Sequence, residues 1–180
     1  MKLIIDGESL TFEKIENFLK NNLHVELSNN AKKNILKSRN QVEEWINKGE
    51  VIYGVTTGFG DFSNVRISTK DIKKLQENLI ISHSAGVGEN LPPIIVKLMM
   101  LLRANALAKG YSGIKLETLQ LLIDMMNNNI IPVIPSQGSV GASGDLAPLS
   151  HLVLAMIGKG EVQLVKNIYN EKFSFTKKYS

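Results

Sequence analysis

The sequence predicts a mainly α-helical protein with a few short strands near the N-terminus and in the loops. Three observations carry this expectation. Apolar residues recur at three- and four-residue spacing in successive segments, most of them opened by a capping residue or a proline. The strand-like runs are short and bounded by Asp, Gly or Pro. Of the 180 residues, 43% are hydrophobic, which is enough to bury a core and argues against disorder. One domain, or one large piece of a domain, fits this length.

Lys2 to Asp6 is an apolar run closed by Asp6-Gly7 and reads as a strand entering a turn. Thr11 caps a helix through Lys20, with Phe12, Ile15, Phe18 and Leu19 on one face. Ser28 caps a longer helix, Asn29 to Lys48, with Ile35, Val42, Trp45 and Ile46 among its apolar positions, and Gly49 stops it. His24, between these helices, reads as surface or structural, since no second metal ligand stands at helical spacing. Val51-Ile52-Tyr53 is β-prone and leads into the glycine-rich Gly54-Val55-Thr56-Thr57-Gly58-Phe59-Gly60. On spacing alone, Tyr53 is a packed aromatic or a functional group mounted on a loop.

Ser68 caps a helix from Thr69 to about Ser82, with Ile72, Leu75, Leu79 and Ile80 inward. It runs into Ser82-His83-Ser84-Ala85-Gly86-Val87-Gly88-Glu89, where His83 can cap helix carbonyls. Pro92-Pro93 starts a helix to about Lys109 whose broad apolar face predicts burial on most sides. Arg103 on it is expected to form a structural ion pair rather than to touch a substrate. Leu116 to Asn128 is a further helix, with Met125-Met126 in the core. Ile130 to Pro135 is too proline-rich for a central strand. A helix from about Asp145 to Ile157 tolerates Pro148 in its first turn, and Gly158 and Gly160 end it. Glu161 to Val165 reads as a strand, and Lys166 to Ser180 lacks a helical period and is expected to fray.

Charge and composition narrow the function. The net charge of +4 is spread along the chain, and basic and acidic side chains balance in residues 1–50. No run has the basic density of a nucleic-acid footprint, so no nucleic-acid partner is expected. With no cysteine there is no disulfide or thiolate metal site, and no metal is expected. The most apolar stretch, Leu91 to Ala108, is broken by Lys97 and Arg103 and falls short of a membrane span. No secretory leader is read at Met1, and a cytoplasmic location is the expectation.

The chemistry concentrates in Pro135-Ser136-Gln137-Gly138-Ser139-Val140-Gly141-Ala142-Ser143-Gly144-Asp145-Leu146-Ala147-Pro148-Leu149-Ser150-His151. It is not a phosphate-binding loop, because Gly144 is followed by Asp145 and not by Lys. Nor is it a nucleophile elbow, because the residue two after Ser143 is again Asp145. Backbone cyclisation fits better: Ala142 offers a small residue's carbonyl, Ser143 a β-leaving group, and Gly144 an unhindered nitrogen. Attack of that nitrogen on the carbonyl, with loss of two waters, makes a dehydroalanine within an imidazolone ring. The tripeptide alone is equally compatible with an ordinary N-cap formed by Ser143 or Asp145.

In context, the stretch resembles the signature of the aromatic amino acid ammonia-lyases, and most closely that of the histidine-specific members. The resemblance extends over residues 1–165 and implies a methylidene-imidazolone (MIO) group formed from Ala142, Ser143 and Gly144, with no external cofactor. Asp145 is then a helper in dehydration or only a charge at a helix N-terminus. Tyr53-Gly54-Val55-Thr56-Thr57-Gly58-Phe59-Gly60 resembles the second signature of these lyases, in which the tyrosine is an acid/base residue. It departs at Thr56, where histidine-lyases usually carry Asn. Ser82-His83 occupies the position that reads the substrate ring: Phe-Leu resembles phenylalanine-lyases, His-Leu tyrosine-lyases, and Ser-His histidine-lyases. Tyr53 and His83 both remain candidates for the base.

By this resemblance the fold is the N-terminal domain of a fumarase-like helical fold, with 1–165 the MIO-bearing domain, 166–180 a tail, and the C-terminal helical half absent. The implied reaction is elimination of ammonia from L-histidine to give urocanate, with the isolated segment incomplete and inactive. The full-length family forms tetramers, so self-association is expected. Two other readings stay open: an MIO lyase or aminomutase for phenylalanine or tyrosine, and a non-catalytic domain that only pairs with other subunits.

Overall fold

The computed structural model describes residues 1–57, 69–139, 146–166, 168 and 178–179. The chain opens with a β-α-β unit. Strands β1 (Lys2–Ile5) and β2 (His24–Leu27) pair in parallel across helix α1 (Phe12–Asn21), with Lys2 opposite His24 and Ile5 opposite Leu27. Alternation sends Leu3, Ile5, Val25 and Leu27 into the core and leaves Ile4 outside. The first strand matches the sequence expectation. The second was not anticipated, because His-Val-Glu-Leu is too short for its period to be distinguished from a linker.

The caps expected at Thr11 and Ser28 form, while Ser68 lies outside the described residues. Thr11 accepts the Lys14 N–H at 3.4 Å, and Ser28 accepts the Ala31 N–H at 3.1 Å to start α2 (Asn29–Lys48). Gly49 closes α2 in the left-handed conformation, with φ 70°. Only Ala31 and Ile35 of α2 are buried, while Val42, Trp45 and Ile46 remain partly exposed. Packing is therefore concentrated in the first two turns of this helix.

The 51–53 run is not a strand. Val55 and Thr56 N–H both bond the Ile52 carbonyl at 3.0 Å, forming a turn. Thr56 Oγ1 accepts the Ile52 N–H at 2.9 Å and donates to the Glu50 carbonyl at 2.6 Å. The buried threonine hydroxyl thus satisfies locally what a neighbouring strand would have supplied.

Helix α3 (Thr69–His83) leads into β3 (Val87–Asn90), and α4 (Pro93–Ala108) and α5 (Leu116–Asn127) follow as an interlocked pair. Val96, Met100, Leu101 and Ala104 of α4 and Leu119, Ile123 and Met126 of α5 are fully enclosed. Phe18, Ile5, Val25, Ile35 and Ile131 close around them. β4 (Ile130–Pro132) and β5 (Pro135–Gln137) come next, then α6 (Leu146–Met156) and β6 (Val162–Leu164). β4 lies at the edge of an antiparallel β4-β6-β7 sheet, where Pro132 is tolerated. In the tail, Lys178–Tyr179 forms β7 against β6.

Two polar side chains tie these layers together. Lys97, only 1% exposed, donates to the side-chain oxygens of Asn22 and, at 2.5 Å, Asn129. Its ammonium also sits 5.1 Å from the centroid of the Phe18 ring. Both asparagines are left-handed, φ 46° and 53°, just past the C-termini of α1 and α5. One cation thus meets the negative ends of two helices. The structural ion pair expected of Arg103 is not found among the described residues; this arginine is exposed.

Asn127 completes β2. Its Oδ1 accepts the Val25 N–H at 2.8 Å and its Nδ2 donates to the Val25 carbonyl at 3.0 Å, imitating one rung of a neighbouring strand. Val25 is 1% exposed, so alanine at position 127 would leave both backbone groups unpaired. Asn127→Ala is expected to cost about 2–4 kcal/mol, read as a lowered urea midpoint. An unchanged midpoint would mean that water replaces the amide.

Among the described residues, no helix is long and apolar enough to cross a membrane, and no group of three or more His, Asp or Glu is placed to hold a metal ion.

Candidate active site

Ser82 and His83 form the last turn of α3. The Leu79 carbonyl lies 2.8 Å from His83 Nδ1 and 2.9 Å from Ser82 Oγ. A carbonyl only accepts, so both side chains donate to it and the imidazole proton sits on Nδ1. Ser84 Oγ caps the Ile80 carbonyl at 2.8 Å in the same way. The capping role open to a histidine at this position is therefore real, and it is carried by Nδ1. In the neutral ring this places the lone pair on Nε2, and the ring is half-buried.

Beyond His83 the chain turns through Gly86 into β3, which pairs antiparallel with β5, placing Val87 opposite Gln137 and Asn90 opposite Pro135. The glycine-rich sequence gave no sign of this strand; the pairing supplies the regularity that composition lacked. Gly138 then adopts φ +143°, and a Cβ there would stand 2.9 Å from Gly86 Cα and 3.1 Å from Ala147 Cβ. Gly138, before residues 140–145, thus lies against Gly86 of the loop that follows His83 and beside Ala147 at the start of α6. Helix α3 also packs along α6, and Lys159 pairs with Glu77 at 2.5 Å.

Ala142, Ser143, Gly144 and Asp145 lie outside the described residues. Tyr53 stands on a separate element, the 52–56 turn after α2, with 62% of its surface exposed; it is not the packed aromatic that its spacing allowed. A groove of about 580 Å³ runs between α2 and residues 109–113, with Val55 in its wall and away from the His83 loop.

His151 is the residue that sequence reasoning passed over. It lies on α6, and its Nε2 accepts the Gly86 N–H at 3.0 Å. Burial pushes this imidazole below the usual histidine pKa. The one available signal was its place at the end of the 135–151 stretch, which carries no spacing rule to single it out. His24, by contrast, is exposed at the start of β2 beside Glu26, in keeping with a surface role.

A family model for aromatic amino acid lyases matches residues 10–177. The chain is 58% identical to the histidine ammonia-lyase of Natranaerobius thermophilus over 157 residues, covering 87% of this chain and 31% of that protein. Among solved structures, histidine ammonia-lyase from Trypanosoma cruzi superposes with a TM-score of 0.84 at 39% identity, covering 93% of this chain and 32% of that one. The ergothioneine-degrading enzyme ergothionase from Treponema denticola gives 0.85 at 32% identity, covering 91% and 33%. The chain spans about a third of the length of the curated relatives it matches. With a matching model across nearly the whole sequence and a helical fold shared with these structures, the chain belongs to the aromatic amino acid lyase family.

Proposed function

We propose that residues 1–165 are the MIO-bearing N-terminal part of a histidine ammonia-lyase, which releases ammonia from L-histidine and leaves urocanate. The observation that carries this reading is the convergence of the Ser82-His83 loop on both flanks of residues 140–145, through the β3–β5 pairing and the contacts at Gly138. A residue that reads the substrate ring and a segment that supplies an electrophile must lie close together. The placement of the flanks supports that reading.

The residue types at 142–144 suit the MIO group, which supplies an electrophile that captures the substrate amine and makes it a better leaving group. The chain's own side chains have distinct tasks. His83 Nε2, with its proton fixed on the other nitrogen, can accept the ring N–H of an imidazole or relay a proton. Tyr53 is the second acid/base candidate, and an ordinary phenol needs a perturbed environment to act near neutral pH. Its exposure here indicates that further walls must close over it. Asp145 assists dehydration or contributes charge at the helix start. The substrate is a small amino acid, and no nucleic acid, membrane or metal enters the scheme.

The test is the intact mass of the purified 180-residue chain. A deficit of two waters that disappears in Ser143→Ala is expected. An unmodified mass would overturn the proposal that this segment builds its own electrophile and would favour the subunit-pairing reading. The same preparation is expected to show no turnover and to self-associate, since Leu36, Ile81, Leu102 and Leu121 are each more than 40% exposed.

A further inference from the structure

The loop that follows α3 is joined to the body of α6 by a hydrogen bond whose direction is fixed. A backbone N–H can only donate, so at 3.0 Å from Gly86 N the His151 Nε2 is the acceptor, and the ring proton of His151 sits on Nδ1. The fit around Gly86 is tight. A Cβ there would stand 2.9 Å from His151 Nε2, 3.1 Å from Pro135 Cβ and 3.2 Å from the Gln137 carbonyl. The His83 loop, the β5 backbone and α6 therefore meet at one glycine. His83 itself is held three residues earlier by the Leu79 carbonyl. Only Ser84 and Ala85 separate the two fixed points, and Ser84 is itself bonded to the Ile80 carbonyl, so a displacement of Gly86 bears on the last turn of α3. Burial favours the neutral, accepting form of His151.

We propose that His151 is a positioning residue: through the Gly86 N–H it sets the orientation of His83 relative to α6. The proposal rests on the reading of His83 as the residue that recognises the substrate ring. His151 acts through the backbone.

Nuclear magnetic resonance on the ¹⁵N-labelled 180-residue chain tests this. In the unsubstituted protein, His151 is expected as the neutral Nδ1–H tautomer with a hydrogen-bonded Nε2, and the Gly86 amide is expected to resist hydrogen exchange. An Nε2–H tautomer or a freely exchanging Gly86 amide would overturn the proposal without any variant. His151→Phe keeps a ring but removes the acceptor. It is expected to speed Gly86 exchange about tenfold and to displace the His83 side-chain ¹⁵N signals from the Nδ1–H pattern. His151→Gln, whose amide oxygen can accept, is expected to restore both. A folded His151→Phe protein with unchanged Gly86 exchange and His83 signals would refute the positioning role, as would a folded His151→Gln protein that restores neither. Failure of the ring-recognition reading looks different: in an active lyase carrying this segment, replacing Ser82 and His83 would leave substrate preference unchanged, while the His151→Phe displacements in the 180-residue chain persist.

Discussion

Lys97→Ala is expected to lower the unfolding free energy by about 2–5 kcal/mol, the range for truncating a long, fully enclosed side chain. The lysine stem fills the space among α1, α4 and α5, and its ammonium joins Asn22, Asn129 and the face of Phe18. Removing it leaves a cavity and withdraws positive charge from two helix C-termini. Lys97→Met separates these effects, because it keeps most of the volume and discards the charge; a well-packed apolar replacement of a buried charge costs little. Urea midpoints of the two variants make the comparison. Equal losses would assign the stabilisation to the charge, whereas a loss confined to alanine would assign it to packing.

The pH dependence follows from the same site. Burial lowers the Lys97 pKa from 10.5 to about 8. Between these values the unfolded chain binds more protons than the folded one, so this group makes stability rise with pH across that window. Below about 8 both states are protonated, and the cost of the buried charge is present in full. The stability of the unsubstituted protein relative to Lys97→Met is therefore expected to increase from about pH 8 to about pH 10. A constant difference would mean that the two amide acceptors hold the ammonium at its ordinary pKa.

The largest functional effect is expected at Ser82 and His83. In an active lyase carrying this segment, Ser82→Phe with His83→Leu should shift kcat/KM from histidine toward phenylalanine by on the order of a thousandfold or more. A site built to hydrogen-bond a polar ring rejects an apolar one strongly, and loss of the acceptor leaves the imidazole N–H without a partner. His83 has its Nδ1 committed to the Leu79 carbonyl, so Nε2 is the atom whose loss is felt. Competition between the two substrates provides the measurement. An unchanged preference would remove Ser82-His83 from ring recognition.

The sequence by itself determined the helices, and it carried the family resemblance in unbroken stretches. Thr11, Ser28 and Gly49 mark helix ends because caps act within a few residues of their own backbone, and these ends stand where they were read. The broad apolar face of α4 and the Met125-Met126 core positions were legible for a related reason: a helix records its burial in its own period. The resemblance at Tyr53, Ser82-His83 and Ala142-Ser143-Gly144 lay within contiguous residues, so it too needed no fold to be visible. Tertiary structure decided whatever depends on partners distant along the chain. β2 is a strand because β1 and Asn127 complete it, and β3 because β5 lies beside it. Lys97 rather than Arg103 became the buried charge because Asn22 and Asn129 arrive from two other helix ends. His151 gains its hydrogen-bond partner only when Gly86, 65 residues earlier, is brought to its lone pair. Local signals fix torsions and faces; long-range hydrogen bonds exist only after the chain has closed on itself, and no periodicity encodes them in advance.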